Sequence, residues 1–333
     1  MKKTILYCLF AIFLLACSNS KPNVSNIIVD ATIHRFDKDL FSTDINHLDV
    51  DLKSLSQKYG KYWLMYNKGV LRTGDPSAFD FDDYIEKFIC DKNIREVYDT
   101  CSIVFADVKK QEKELEMAFK YMKYYFPKAE VPKVYFHVSG FNQSIVVDSA
   151  IISVSIDNYL GENCKFYDML AMPIAKYLRS GMTKDRIPLD VLKAKALTSF
   201  SFSTKKDNLL SKILYNGKIL YFLSKVFPDR EESFIINYTK KQYDWCANNE
   251  AACWGFFIEK DYLYSSDHFI ISKYTNDSPF TSGMPGASPG RVANWIGLQI
   301  IKSYMNNNKC SLSELMLEFD YDAILRESNY QPE

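Results

Sequence analysis

Histidine is scarce in this 333-residue chain. There are four, His34, His47, His137 and His268, far apart and in no HExxH or HxxxH pair. Two imidazoles one helical turn apart are what a zincin-type zinc site requires, so no metal site is expected. GxSxG, the P-loop and GxGxxG are missing too, which removes the usual marks of a serine hydrolase, a nucleotide hydrolase and a dinucleotide enzyme. No cofactor is implied. Neither charge dominates: 41 Lys and Arg balance 41 Asp and Glu, so no basic field exists to collect nucleic acid. With 12 Gly and 11 Pro the chain is neither collagen-like nor low-complexity. The apolar run Ile5–Leu15 is too short to span a bilayer comfortably.

Aromatics are plentiful, with 23 Tyr, 23 Phe and 4 Trp making 15% of residues, enough for contact surfaces as well as a core. At roughly 100 to 200 residues per domain the length allows one large domain or two ordinary ones. No linker or repeat interrupts residues 27–330, so a single domain is expected there.

Lys2 and Lys3 before the run Ile5–Leu15 form an export leader, residues 1–16. It ends Leu14-Leu15-Ala16-Cys17, which resembles a bacterial lipobox, with cleavage before Cys17 and acylation of that cysteine by diacylglyceryl and a third, palmitate-type chain. Two or more chains anchor stably where one does not. Residues 17–26 then read as the lipidated cysteine and a short polar tether; by resemblance to bacterial lipoproteins, Ser18 in place of an aspartate implies transfer to the outer membrane, and a tether lacking an acidic cluster points to its periplasmic face. Of the other exported cysteines, Cys246 and Cys253 lie seven apart on what reads as one helix. A disulfide and buried free thiols both fit.

Alternation around Ile28–Phe36 predicts an opening strand within Ile27–Asp39. Helices are predicted at Leu48–Tyr59, Phe81–Cys90 and Asp107–Phe126, the last from apolar residues Leu115, Ala118, Phe119, Met122 and Phe126 on one face. Strands are predicted at Lys133–Val138 and Ser144–Val147. A third alternates Ile152, Val154 and Ile156 with Ser153, Ser155 and Asp157, as a half-exposed strand does. Helices follow at Asp190–Phe200, Leu209–Val226, Lys241–Asn248 and Arg291–Met305. Thr239 with Gln242 and Ser311 with Glu314 read as capping boxes, and Ser288-Pro289 as an N-cap with proline at the first helical position. The expected class is α+β, predominantly helical, with a small sheet.

Asp80-Phe81-Asp82-Asp83 lacks the spaced ligands and glycine of a calcium loop and reads as a solvated helix start. The most distinctive segment is Asn276–Arg291, where Gly283, Gly286 and Gly290 and three prolines precede a helix whose free amides, with Arg291, can receive an anion. A loop packed by its own side chains is the competing reading.

Several ordered stretches carry a resemblance: His34-Arg35-Phe36-Asp37 with Leu40-Phe41, Tyr124–Pro127, Ile156–Gly161, Asn216–Phe222, Tyr243–Glu250, Ser288–Gly297 and Tyr304-Met305. Together they resemble the gliding-motility lipoprotein B (GldB) family, over nearly all the mature chain. The resemblance implies an outer-membrane lipoprotein that supports gliding, or the associated secretion machinery, through contacts with other envelope or motility proteins. The family is in turn distantly similar to zincin metallopeptidases, which implies a degenerate scaffold of that kind. The helix that should carry HExxH reads Asp190-Val191-Leu192-Lys193-Ala194-Lys195, and Asn216 stands before Gly217 where a glutamate would be. The expectation is a protein without catalytic residues, the alternative an envelope hydrolase acting on peptide or cell-wall material. Asp157, Tyr159, Gly283, Gly286, Gly290, Arg291 and Trp295 are the candidate binding surface, over a groove floored by the sheet and the Gly283–Gly290 loop.

Overall fold

The computed structural model describes residues 21–333 apart from 77, 79 and 149. The leader, Cys17 and the start of the tether lie outside the described residues. Helices dominate, and four short strands form one mixed sheet of order β1-β2-β4-β3. β1 is only Ile33–His34, paired parallel with β2, Lys133–His137. The rest of the expected opening strand is absent. Ile28 is exposed, and α1, Phe36–Phe41, begins at once, with Asp37 and Asp39 in its first turn, where acids suit the helix dipole.

Six helices precede the sheet's main body. After α1 come α2 (Leu48–Tyr59), α3 (Lys61–Met65, prolonged by a π turn to Leu71), α4 (Phe81–Cys90), α5 (Lys92–Val104) and α6 (Lys109–Tyr125). The predicted ranges of α2 and α4 match, and Asp82 and Asp83 occupy the first turn of α4. Strands β3 (Ile145–Asp148) and β4 (Ile151–Ser155) pair antiparallel, and β4 runs parallel to β2.

β4 corrects the half-exposed reading: all five of its residues are buried, and Ser153, Ser155 and Asp157 show no exposed surface. Alternation separated two faces correctly, but both are covered. The aromatic segment Tyr59–Tyr66 lies over the polar face, with Tyr62 stacked on Tyr135 at 3.9 Å. The serines find partners there rather than water: Tyr62 Oη lies 2.8 Å from Ser153 Oγ, which is 2.6 Å from His137 Nδ1. A buried hydroxyl is tolerated when it is hydrogen-bonded.

The remaining helices are α7 (Phe166–Met169), α8 (Lys176–Arg179), α9 (Ile187–Ser199), α10 (Leu209–Val226), α11 (Glu232–Ile236), α12 (Lys240–Asn248), α13 (Glu250–Glu259), α14 (His268–Thr275), α15 (Val292–Asn307), α16 (Leu312–Leu317) and α17 (Tyr321–Ser328). Both capping boxes form. Asn249 separates α12 from α13, so Cys246 and Cys253 stand on two helices rather than one, and both are buried free thiols. Burial pushes the Cys253 thiol up to about 11. At the crossing of α10 and α15 the backbones nearly touch, because a Cβ on Gly297 would sit 2.2 Å from the Ile213 carbonyl oxygen. That contact fixes the wall of the site described next.

Candidate functional site

At the C-terminal end of β4 the chain turns through Ile156–Tyr159 and opens a charged cleft. Its first lobe, 290 Å³, lies between Ser144, Asn158 and Tyr159 on the sheet side and Arg186, Asp190 and Lys193 on α9 and its approach. A second lobe, also 290 Å³, shares Lys193, Leu220, Ile236, Asp277 and Arg291 and extends to Asn216 on α10 and Asn294 on α15. Both lobes keep apolar walls, including Ile174, Leu178 and Ile235 in the first and Leu197 and Ile219 in the second.

Asp190 and Lys193 meet here because one helical turn separates them. Tyr159 Oη donates to Asp190 Oδ2 at 3.1 Å, and Arg186 Nη2 stands 3.8 Å from Oδ1. Burial raises the Asp190 pKa, with Asp277 adding to it and Arg186, Lys193 and the Tyr159 hydrogen bond opposing. Lys193 moves the other way: the residue as a whole is exposed, but protein crowds its ammonium, and that loss of hydration, with Arg291 and Arg186 nearby, lowers its pKa. Arg291 is pinned by Asp277 at 3.0 Å and by the Ile236 carbonyl at 3.1 Å. Asn216 Nδ2 donates to Asn294 Oδ1 at 2.8 Å, bridging α10 and α15.

Three donors are left over. Arg186 is 6% exposed and Asn158 8%, yet Arg186 Nε and Asn158 Nδ2 have no hydrogen-bond partner. Lys193 makes no hydrogen bond or ion pair within 4 Å to any described residue. Unsatisfied buried donors are uncommon and costly, on the order of 1–3 kcal/mol each.

Of the expected surface residues, Tyr159 and Arg291 come together in this cleft and the others do not. Asp157 is wholly buried, accepting from the backbone N–H of Ser139 at 3.2 Å and of Phe141 at 2.7 Å and from the Ser155 hydroxyl. Trp295 is core, 1% exposed and edge-on to Tyr243. Gly283 backs onto the Phe256 ring, Gly286 faces open space, and Gly290 is buried so close to Ser278 that a Cβ would lie 2.0 Å from its carbonyl oxygen. The loop is packed by its own hydrogen bonds, Thr281 Oγ1 donating to the Pro289 carbonyl at 2.6 Å.

The expected anion seat at the loop's end does not form. α15 starts at Val292, capped by Arg291 rather than Ser288, and the Val292 amide donates to Thr281 Oγ1. Nor do the sheet and the Gly283–Gly290 loop floor the groove; the sheet region supplies Ser144, Asn158 and Tyr159, and the loop supplies Asp277 and Arg291. Arg186, Asp190, Lys193 and Asp277 were missed as site residues. Their signal was polar residues on otherwise apolar stretches, Asp190 and Lys193 among Leu189, Val191 and Leu192.

The four histidines stay apart: His34 stacks on Tyr135, His47 pairs with Asp44 in solvent, His137 is inside the sheet and His268 starts α14. Among the described residues no three of His, Cys, Asp or Glu converge as a metal site would require. A larger hollow of 490 Å³ is lined mainly by apolar residues such as Met122, Phe126, Phe200 and Phe222, with Lys128, Lys195, Ser199 and Ser313 among its polar residues.

The fold and cleft define a mostly helical α+β protein with a small mixed sheet and a charged groove at its end. The chain belongs to the family described as gliding motility protein GldB, whose model matches residues 17–332. No curated protein and no solved structure matches it. Membership implies a gliding-motility-related lipoprotein, and among the described residues no helix is long and apolar enough to cross a membrane.

Proposed function

We propose that this protein is a non-catalytic component of the gliding machinery, or of the secretion machinery associated with it, tethered through acylated Cys17 to the periplasmic face of the outer membrane and working by contact with other envelope proteins. The observation that carries the contact mode is the outer edge of β3. Among the described residues no strand pairs with it. The Ser155 amide donates to the Ser144 carbonyl, so by antiparallel alternation Ile145 and Val147 point their N–H and C=O groups outward. Such an edge accepts an extended segment of a partner by strand addition.

A degenerate peptidase ancestry fits the same place. α9 and α10, the helices that the resemblance assigns to a metal site, flank the cleft, and they bring Asp190, Lys193 and Asn216 to it instead of histidines and a glutamate. One observation favours the second reading, an envelope hydrolase: Asp190 and Lys193 are displaced in opposite directions within one cleft, as acid and base groups of enzymes often are. Stoichiometric zinc in the purified protein, lost to chelator together with a peptidase activity, would establish that reading.

The test is deletion of the gene in the bacterium of origin, with colony spreading and the secreted proteome as readouts. Complementation uses the native form, Cys17→Ala and Val147→Pro; the last removes an outward N–H without touching the β3–β4 ladder. Restoration by the native form alone is expected. Rescue by Cys17→Ala would end the tether claim, rescue by Val147→Pro the strand-addition claim, and an unaffected deletion strain the machinery claim.

A further inference from the structure

We infer that the cleft is a receptor for the free C-terminal carboxylate of an extended peptide. This rests on the strand-addition reading above and adds to it the chemistry of the end that is recognised.

The argument starts from what the cleft lacks. Arg186 Nε, Asn158 Nδ2 and Lys193 Nζ are all donors, and none has an acceptor. Arg186 and Asn158 are more than nine-tenths buried and line the first lobe, but their unpaired nitrogens lie beneath its surface, so Lys193 Nζ is the donor a ligand meets directly. The formal charge of the first lobe's lining is three cations, Arg186, Lys193 and Arg291, against two anions, Asp190 and Asp277, while the second lobe adds Lys212. An excess of one positive charge matches a monoanion. In the first lobe Arg291 is already occupied by Asp277 and the Ile236 carbonyl, Arg186 donates to the Phe234 carbonyl, and Asp190 is held by Tyr159, which leaves Lys193 as the cation free to pair.

Direction follows from the sheet. Ser144, the residue before β3, lines the same lobe as Asn158 and Arg186, so the N-terminal end of β3 is the end that meets the cleft. A segment added antiparallel to β3 runs from Asp148 toward Ser144 and delivers its C-terminus there. A parallel segment would deliver an ammonium to unpaired donors and a net positive lining. Ile174, Leu178, Leu220 and Ile235 then give the last side chains an apolar wall.

The full-length protein in detergent is offered two pools of degenerate hexapeptides at pH 7, one ending in free acid and one in amide, and retained peptides are quantified by mass spectrometry. Retention of the acid pool about ten-fold above the amide pool is expected, as for a charge-assisted hydrogen bond. Lys193→Met should abolish that preference and leave amide retention unchanged. It should fold normally, since Lys193 is exposed and unpartnered, and Asn158→Leu gives an independent second variant. Val147→Pro should weaken both pools. Equal retention of acid and amide, both reduced by Val147→Pro, would overturn the carboxylate receptor and leave strand addition standing. Retention insensitive to Val147→Pro, Lys193→Met and Asn158→Leu would overturn both. Octanoate displacing a fluorescent fatty acid from the cleft while neither pool binds would overturn the peptide assignment in favour of small carboxylates.

Discussion

Asp157 and Asp190 are both acids that the fold shields, and burial raises the pKa of each. Their surroundings differ. Asp157 itself is fully engaged: two backbone amides and the Ser155 hydroxyl converge on it, and the hydroxyl also reaches Ser139 at 2.7 Å. Around Asp190 the bonds stop short, with Arg186 at 3.8 Å and neighbouring donors unclaimed. A network closed on itself holds a fold together, whereas one left open on the side of a cleft awaits something from outside. Fold stability and the proposed binding should therefore be separable in this molecule, with mutations at the two acids parting along that line.

The largest effect is expected at Asp157. Its carboxylate holds Ser139 and Phe141 around a turn in which Gly140 has φ +68° and Phe141, without glycine's freedom, has φ +65°. Asp157→Ala leaves two amides unpaired and takes one partner from the Ser155 hydroxyl, and should cost about 3–5 kcal/mol in chemical denaturation. Next is Gly297→Ala. A methyl 2.2 Å from the Ile213 carbonyl oxygen must part α10 from α15, for a loss of about 3 kcal/mol and, with the Asn216–Asn294 bridge disturbed, a reshaped second lobe.

The closed side also predicts a pH response. His137 is wholly buried, and loss of hydration lowers its pKa to about 3. Above pH 6.5 both folded and unfolded chains hold it neutral. As pH falls from 6.5 toward 3 the unfolded chain takes up a proton that the folded one refuses, so stability drops, by roughly 3 kcal/mol at pH 4.5. Asp157 and Asp190, with raised values, act in the opposite sense, favouring the folded state as pH falls through their folded pKa toward 3.8. Replacing His137 by Leu should remove the acid loss, and denaturant midpoints measured from pH 7 to 4 would show it. An unchanged profile would place the acid sensitivity elsewhere.

These regions were unequally legible. Helices such as Leu48–Tyr59, Phe81–Cys90 and Leu209–Val226 were readable because periodicity, breakers and caps agree there. Strands β2 and β3 were placed within a residue for the same kind of reason, whereas β4 ends two residues before the alternation does and the opening strand is only Ile33–His34. The exposure of β4 was not readable, because alternation reports that two faces differ, not what covers each; the cover is Tyr59–Tyr66, hidden in a stretch with no clean period. Ser288-Pro289 carried a start signal that the loop's own packing overrode, moving the helix start to Val292. The cleft escaped because its residues come from five separated segments, and only their assembly shows that Lys193 has no partner.

The smallest effect on stability, and the largest on binding, should come from the open side. Lys193 is exposed and unpaired, so Lys193→Met should change unfolding free energy by no more than about 0.5 kcal/mol while removing the preference for a peptide acid. Asp190→Asn is the sharper comparison, because it alters charge without shape. It raises the net lining charge from one to two, so retention of the acid pool should rise about three-fold, with the amide pool unaffected, and the Tyr159 hydroxyl keeps an acceptor in the Asn carbonyl. Opposite shifts from two residues one turn apart would mark an electrostatic receptor. A fall in acid retention with both variants would mean that Asp190 positions Lys193 and that the two act as one unit, which a double-mutant cycle would measure directly.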